Sequence, residues 1–206
     1  MPYTPAEVLA RAAFYPSLFY TYVTTKVTKR KWYSRIDRTV LIGALPVKSL
    51  VEELIEEEGV KGVVSVTEEY ETRGITPSAK KWQEMGVQQL QIPTTDLTGT
   101  PSQSHIQAAV GFILSHRANN NSVYVHCKAG RTRSATVAAC YLVKVHKWTP
   151  EEAVAFLKSR RPQVWLRDKQ MKSVAMFYDS CRNSPSFQSP SASSSTASSA
   201  SSEKVK

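Results

Sequence analysis

The stretch "SVYVHCKAGRTRSATVAACYLVKVH", residues 122–146, constrains the fold of this chain more than any other. Ser122 to His126 reads as a β-strand, because Val and Tyr dominate it, and Arg133 to His146 reads as a helix rich in Ala, Val and Leu. The six residues between them, Cys127 to Thr132, must turn the chain around one glycine, Gly130. A strand that passes into a helix through so short a loop belongs to a parallel sheet with helices packed on its faces. In such sheets ligands sit at the carboxyl ends of strands, which is where Cys127 falls. Lys128, Arg131 and Arg133 follow it within six residues. A buried packing cysteine has no use for three cations, whereas a nucleophile or an anion site does.

The rest of the chain repeats the alternation. "TVLIGALP" (39–46) reads as a short buried strand, and "VKSLVEELIEEEGV" as a helix with Leu50, Val51, Leu54 and Ile55 on one face. "KGVVSVT" (61–67) is a second strand, followed by the acidic stretch "EEYETRG", read as a loop. "KKWQEM" predicts a helical turn, "GVQQLQIP" a strand, and "TTDLTGTPS" a polar loop. A helix over 104–118 comes next. After the central stretch, Thr149, Pro150 and Glu152 form a capping box that opens another helix, and "RDKQMKSVAMFYDSC" supplies the last. The expected fold is a single α/β domain over 35–182, a central, mostly parallel, twisted sheet flanked by helices. At 206 residues the chain has room for one such core. From Asn183 onward Ser, Ala and Pro take over, and a tail of that composition, 183–206, cannot bury enough apolar surface to order itself.

The net charge of +10 is concentrated. Residues 1–38 hold seven Lys/Arg against two acids, and the block from Lys158 to Lys172 holds six against Asp168 alone. Such an excess calls for a polyanionic partner. No zinc-finger spacing, basic zipper or aromatic RNP pattern accompanies it, so nucleic acid is not expected. An anionic membrane surface, met peripherally by a monomer, suits the charge better. Ala12 to Thr25 is uncharged, yet its 14 residues are too few to span a bilayer. Apolar aromatics followed by cations make residues 1–34 a membrane-interface segment, a targeting segment, or an amphipathic helix packed on the domain. Three cysteines, Cys127, Cys140 and Cys181, form neither a CxxC nor a paired framework, which suggests a reducing compartment.

The loop around Cys127 has its own chemistry. Its amides and the N-terminus of the following helix converge on one concavity, and Arg133 can fold back over it to grip two oxygens of a phosphate. The same field favours a thiolate, because cations and a helix N-terminus lower a cysteine's pKa. Ser134 is placed to donate a hydrogen bond to the sulfur, and His126 to order the loop. Lys128, Ala129, Gly130, Arg131 and Thr132 would line the bound anion. Nothing in the pattern calls for a metal or other cofactor, because Arg133 and the amides do the work a cation would do.

"VHCKAGRTRS" resembles the phosphate loop HCxxGxxR[ST] of the cysteine-dependent protein tyrosine phosphatases, in their compact dual-specificity branch. The likeness extends to "FYPSLFYT", "WYSRID", "LIGALP", "EEYETR", "DLTG" and "VHKWTPEEAV", features of the branch members that act on phosphatidylglycerophosphate in mitochondria. The resemblance implies a nucleophile at Cys127, a phosphate-gripping Arg133, and a general acid at Asp96 on a loop upstream. Asp96 is also the only acid between Glu84 and Cys127. It marks "EEYETRG" as flanking the site, with Tyr70 as a wall and Glu68, Glu69 or Glu71 ordering Arg131 or Arg133. It implies a phospholipid substrate and a place on the matrix face of the inner mitochondrial membrane, on the route to cardiolipin. A protein phosphatase on phosphotyrosine, phosphoserine or phosphothreonine, or a phosphoinositide phosphatase, would share every one of these residues.

Overall fold

A computed structural model describes residues 12, 14, 16–20, 23–24, 27–28, 30–96, 98–183 and 187. The expected tail, apart from Asn183 and Phe187, and most of the segment before residue 30 lie outside the described residues. The strands are β1 (Tyr33–Arg35), β2 (Val40–Gly43), β3 (Val60–Ser65), β4 (Gln88–Gln91) and β5 (Ser122–His126). The helices, from residue 30 onward, are α1 (Lys48–Glu56), α2 (Glu69–Thr72), α3 (Ala79–Glu84), α4 (Gln103–Ala118), α5 (Arg133–His146), α6 (Pro150–Arg160) and α7 (Asp168–Arg182).

The strands form one sheet in the order β1-β2-β5-β3-β4. β2, β5, β3 and β4 run parallel, and β1 is an antiparallel edge. Side chains alternate across this sheet as pleating requires. Val40, Ile42, Val64, Val123 and Val125 face a core built with α4 to α7, while Leu41, Val63 and Tyr124 face a smaller one built with α1 and α3. With helices on both faces, β5 is buried along its whole length. α5 is buried from Arg133 through Val143, so the helix that follows Cys127 is the central pillar of the larger core. Gly43 of β2 and Ser65 of β3 both pair with His126, so three strands end level around Cys127.

Two local readings change. "EEYETRG" is not a plain loop, because Glu69–Thr72 forms a helical turn capped by Glu68 and Glu71, each side chain bonding the other's backbone. β1 begins at Tyr33, ahead of residue 35. It is too short to show a period, and Tyr33 is held by its hydroxyl on Glu53 and Glu58. Among the described residues no helix is long and apolar enough to cross a membrane.

Candidate active site

β5 delivers Cys127 to the floor of a cavity of about 200 Å³, where its sulfur is buried. The turn after it depends on Gly130, whose φ of +65° is a left-handed conformation. A Cβ there would stand 2.4 Å from the carbonyl carbon of Gly43. Gly43 is equally constrained, since a Cβ would fall 1.9 Å from the Tyr124 hydroxyl, which donates to Ala44 O. Glycine at 130 thus lets the loop lie directly against β2, and glycine at 43, in "LIGALP", makes room for the Tyr124 side chain.

The loop is braced from below by Arg161, one of the largest fully buried side chains. Its guanidinium donates to Gly130 O (2.8 Å) and Ala129 O (3.3 Å), and also to Lys31 O, Trp32 O and Ser34 Oγ. By sequence Arg161 belongs to the cationic block 158–172, expected to face an anionic partner, and the structure removes it from the surface. Burial, partly offset by the ring of Tyr124 and the Cys127 sulfur, brings its pKa down to about 10. From the other side, Trp165 N donates to Arg131 O and Thr132 Oγ1 donates to Trp165 O.

The Cys127 thiol sits below its ordinary value. Burial alone pushes it up, but the Arg133 charge and hydrogen bonds from the Ser134 hydroxyl (3.4 Å), the Ser134 amide and the Arg131 amide outweigh that. His126 also stays neutral, since burial drives its pKa down to about 3. Its Nε2 lies 2.8 Å from Ser65 Oγ, which accepts from Gln89, so the ring ties the end of β5 to β3.

Arg133, the first residue of α5, is buried among oxygens. Its two terminal nitrogens grip Glu71 as a fork (2.7 and 2.9 Å), and they also donate to Thr94 O (2.7 Å) and Asp96 Oδ1 (2.7 Å). Asp96 is ion-paired with Lys128 through its other oxygen. Asp96 therefore bridges the two cations that flank the sulfur. The loop bearing Asp96 is held by α7, where Gln170 Nε2 donates to Gly99 O and Lys169 Nζ to Thr98 O.

Among the candidates from the sequence, Asp96, Cys127, Lys128, Ala129, Arg131, Thr132 and Arg133 line the cavity. Gly130 shapes the loop beneath it, and Ser134 bonds the sulfur. Of the acids offered for ordering Arg131 or Arg133, Glu68, Glu69 and Glu71, the structure selects the last, and it places Tyr70, Glu68 and Glu69 away from the cavity lining. Glu71 alone of these acids reaches Arg133, Glu68 caps the turn, and Glu69 points into solvent beside Arg73. Tyr70 lies edge-on to Phe14 and is not among the lining residues. The reason is helical spacing, which turns Glu71 inward and Glu69 outward. The cavity also takes in Ser17 and Tyr20 of "FYPSLFYT", Gly99 of "DLTG", and Trp165 and Arg167 from the 158–172 block, none of which the sequence singles out individually. Ser17 Oγ accepts from Lys128 Nζ (2.8 Å), which brings the segment before β1 to the rim.

A buried, acidified thiol under a guanidinium, with a carboxylate across a phosphate-sized cavity, defines a cysteine-dependent phosphomonoester hydrolase. The chain belongs to the dual specificity phosphatase family, whose catalytic-domain model matches residues 44–180. Within it, the chain is 47% identical over 173 residues to the Homo sapiens phosphatidylglycerophosphatase and protein-tyrosine phosphatase 1, covering 82% of this chain and 86% of that one. It is 41% identical to the Arabidopsis thaliana phosphatidylglycerophosphate phosphatase PTPMT1, over 82% of this chain and 49% of that one. The crystal structure of PTPMT1 in complex with PI(5)P superposes with a TM-score of 0.72 at 43% identity, covering 73% of this chain and 96% of that chain.

Proposed function

We propose that this enzyme hydrolyses the phosphomonoester of phosphatidylglycerophosphate to give phosphatidylglycerol, by way of a phosphocysteine. One observation carries the mechanism: the Cys127 thiol is lowered at the floor of a cavity whose wall holds both Arg133 and Asp96. In the first step the Cys127 thiolate attacks phosphorus, and the P–O bond to the glycerol carbon chain breaks. The leaving alkoxide takes a proton from Asp96. The loop amides and Arg133 hold the equatorial oxygens throughout. In the second step water attacks the phosphocysteine, Asp96 takes its proton, and the P–S bond breaks with Ser134 donating to the departing thiolate.

We infer the switch of Asp96 between roles from its two ion pairs, since its carboxylate engages both Arg133 and Lys128. An arriving phosphate dianion competes for Arg133, and Asp96, displaced from one cation, is freed to carry a proton to the leaving oxygen.

The names of the human and plant relatives support the lipid substrate, and so does the rim, where the aromatic side chains of Tyr20 and Trp165 stand exposed. The reading extends to a monomer acting peripherally on the anionic matrix face of the inner mitochondrial membrane, within cardiolipin synthesis and without nucleic acid. The basic segment before β1 supports that placement. A second reading, protein or phosphoinositide phosphatase, is favoured by the protein-tyrosine phosphatase half of the human relative's name and by the PI(5)P complex of PTPMT1. Phosphate release from phosphatidylglycerophosphate, PI(5)P and a phosphotyrosine peptide, measured side by side, decides between them. The lipid reading expects phosphatidylglycerophosphate to lead in kcat/KM. It also expects Asp96→Asn to lower kcat on that alkyl ester by roughly 10²-fold or more, and far less on p-nitrophenyl phosphate, whose leaving group needs no proton. Equal losses on both esters would remove Asp96 from the acid's role.

A further inference from the structure

A second cavity, about 1230 Å³, opens beside the catalytic one, and the two share Arg131 and Trp165 as a common wall. Among the described residues six cations line it, Arg30, Lys31, Arg35, Arg131, Lys158 and Arg160, and no carboxylate does. Arg35 is neutralised by Glu58. Among the described residues the other five have no carboxylate partner within ion-pair distance. Five unpaired cations around one concavity repel each other, and the shape persists because the backbone around it is pinned. Arg161 donates at once to Lys31 O on this wall and to Gly130 O in the phosphate loop, Gln163 Nε2 donates to Lys31 O, and Trp165 N donates to Arg131 O. The backbone wall of the trough is thus tied directly to the catalytic loop.

We propose that this trough binds the phosphodiester headgroup of an anionic phospholipid other than the one being hydrolysed, and so seats the catalytic cavity against the bilayer. The catalytic cavity, about 200 Å³, has room for one phosphate and its immediate substituent, whereas the trough, at about 1230 Å³ and lined by cations, has room for a whole lipid headgroup beside it. Trp165, 57% exposed on the divide between them, is an aromatic side chain of the kind that sits at the headgroup level. Arg131 reaches both cavities, so a lipid in the trough also sets the side chain that borders the reacting phosphate. This inference rests on the lipid reading of the site and adds a second lipid to it.

The test uses the full chain, with vesicles of phosphatidylcholine alone or mixed with phosphatidylglycerol, which carries no phosphomonoester. Lys158→Gln/Arg160→Gln removes two trough cations outside the catalytic machinery. Lys61→Gln/Lys80→Gln removes the same charge from exposed positions outside the trough. At about 1 kcal/mol per cation near an anionic surface, the trough double variant should lose roughly 30-fold in affinity for the mixed vesicles. The control should lose about threefold or less, and both should hydrolyse p-nitrophenyl phosphate like the parent. Equal losses in the two double variants would overturn the proposal, showing diffuse charge and no site. So would equal binding to vesicles with and without phosphatidylglycerol. Displacement from vesicles by millimolar inorganic phosphate at constant ionic strength would also overturn it, in favour of a small-anion site. Hydrolysis of phosphatidylglycerophosphate in neutral detergent micelles is measured in parallel. Its absence in the parent would refute the substrate, while its presence with any overturning result would refute the trough alone.

Discussion

Glu71 is the sharpest place to test how the site is held together. Its carboxylate is completely buried and forms both bonds of a fork with Arg133, at 2.7 and 2.9 Å, while one of its oxygens also accepts from Glu68 N. Glu71→Gln keeps the shape but turns one acceptor into an amide donor facing a guanidinium N–H. One charge-assisted hydrogen bond is lost and a donor is set against a donor, which together cost about 2–4 kcal/mol. Asp96 and Thr94 O still touch Arg133, so the full penalty of an isolated buried charge is not reached. For a domain of this size that destabilisation corresponds to a fall in Tm of roughly 5–15 °C.

The catalytic effect follows from the same geometry. Arg133 released from its fork would turn toward Asp96, and the guanidinium would no longer present its edge to phosphate. Losing about 2 kcal/mol of transition-state stabilisation lowers kcat/KM roughly 30-fold. Thermal unfolding and phosphate release are measured on Glu71→Gln alongside Glu69→Gln, whose side chain is 86% exposed. Glu69→Gln should match the parent in both. If Glu71→Gln also retained kcat/KM within twofold and Tm within about 1 °C, the claim that this carboxylate holds Arg133 in place would be wrong.

Ser134→Ala removes one of the influences that lower the Cys127 thiol, so its pKa should rise. Because the thiolate attacks, the acidic limb of kcat/KM should move to higher pH, and alkylation of Cys127 by iodoacetamide should shift with it; an unmoved limb refutes the role. His126 predicts a pH dependence of stability: it is neutral in the folded protein down to about pH 3, while the unfolded imidazole titrates near 6.5. Below that value the unfolded chain binds the extra proton, so stability falls as pH drops, by about 2 kcal/mol between pH 8 and pH 5. Urea unfolding of the parent against His126→Gln should show the variant losing less over the same interval. Arg161→Met should leave the carbonyls of Gly130 and Ala129 without a donor, destabilise the protein by about 3–5 kcal/mol and reduce kcat. Retained phosphate release in that variant would show the loop to be self-supporting.

Much of this architecture is legible in the residues because the signals are local. The run from Ser122 to His146 carries a strand, a glycine turn and a helix in sequence, and Thr149 to Glu152 carries a capping box that the structure reproduces atom for atom. Cys127, Arg133 and Ser134 are covalently close, so their convergence follows from loop length. Asp96 is legible because no other acid competes for its stretch. What the residues hide is convergence over long separations. Glu71 meets Arg133 across 62 positions, and Arg161 meets Gly130 across 31. Three acids within four residues, Glu68, Glu69 and Glu71, look alike until a helical turn sorts one inward and another outward. Arg161 sits in a run of cations whose apparent purpose is surface charge, and no local pattern separates the buried one.

The acids and cations around the sulfur make one linked system. Glu71 anchors Arg133, Arg133 shares Asp96 with Lys128, and Lys128 reaches Ser17 on the segment before β1. An anion that enters between Cys127 and Arg133 competes with Asp96 for the terminal nitrogen whose other N–H is given to Glu71. Glu71, completely buried, fixes the guanidinium from one side, and in the proposed mechanism Asp96, bridging two cations, is the group that gives and takes the proton.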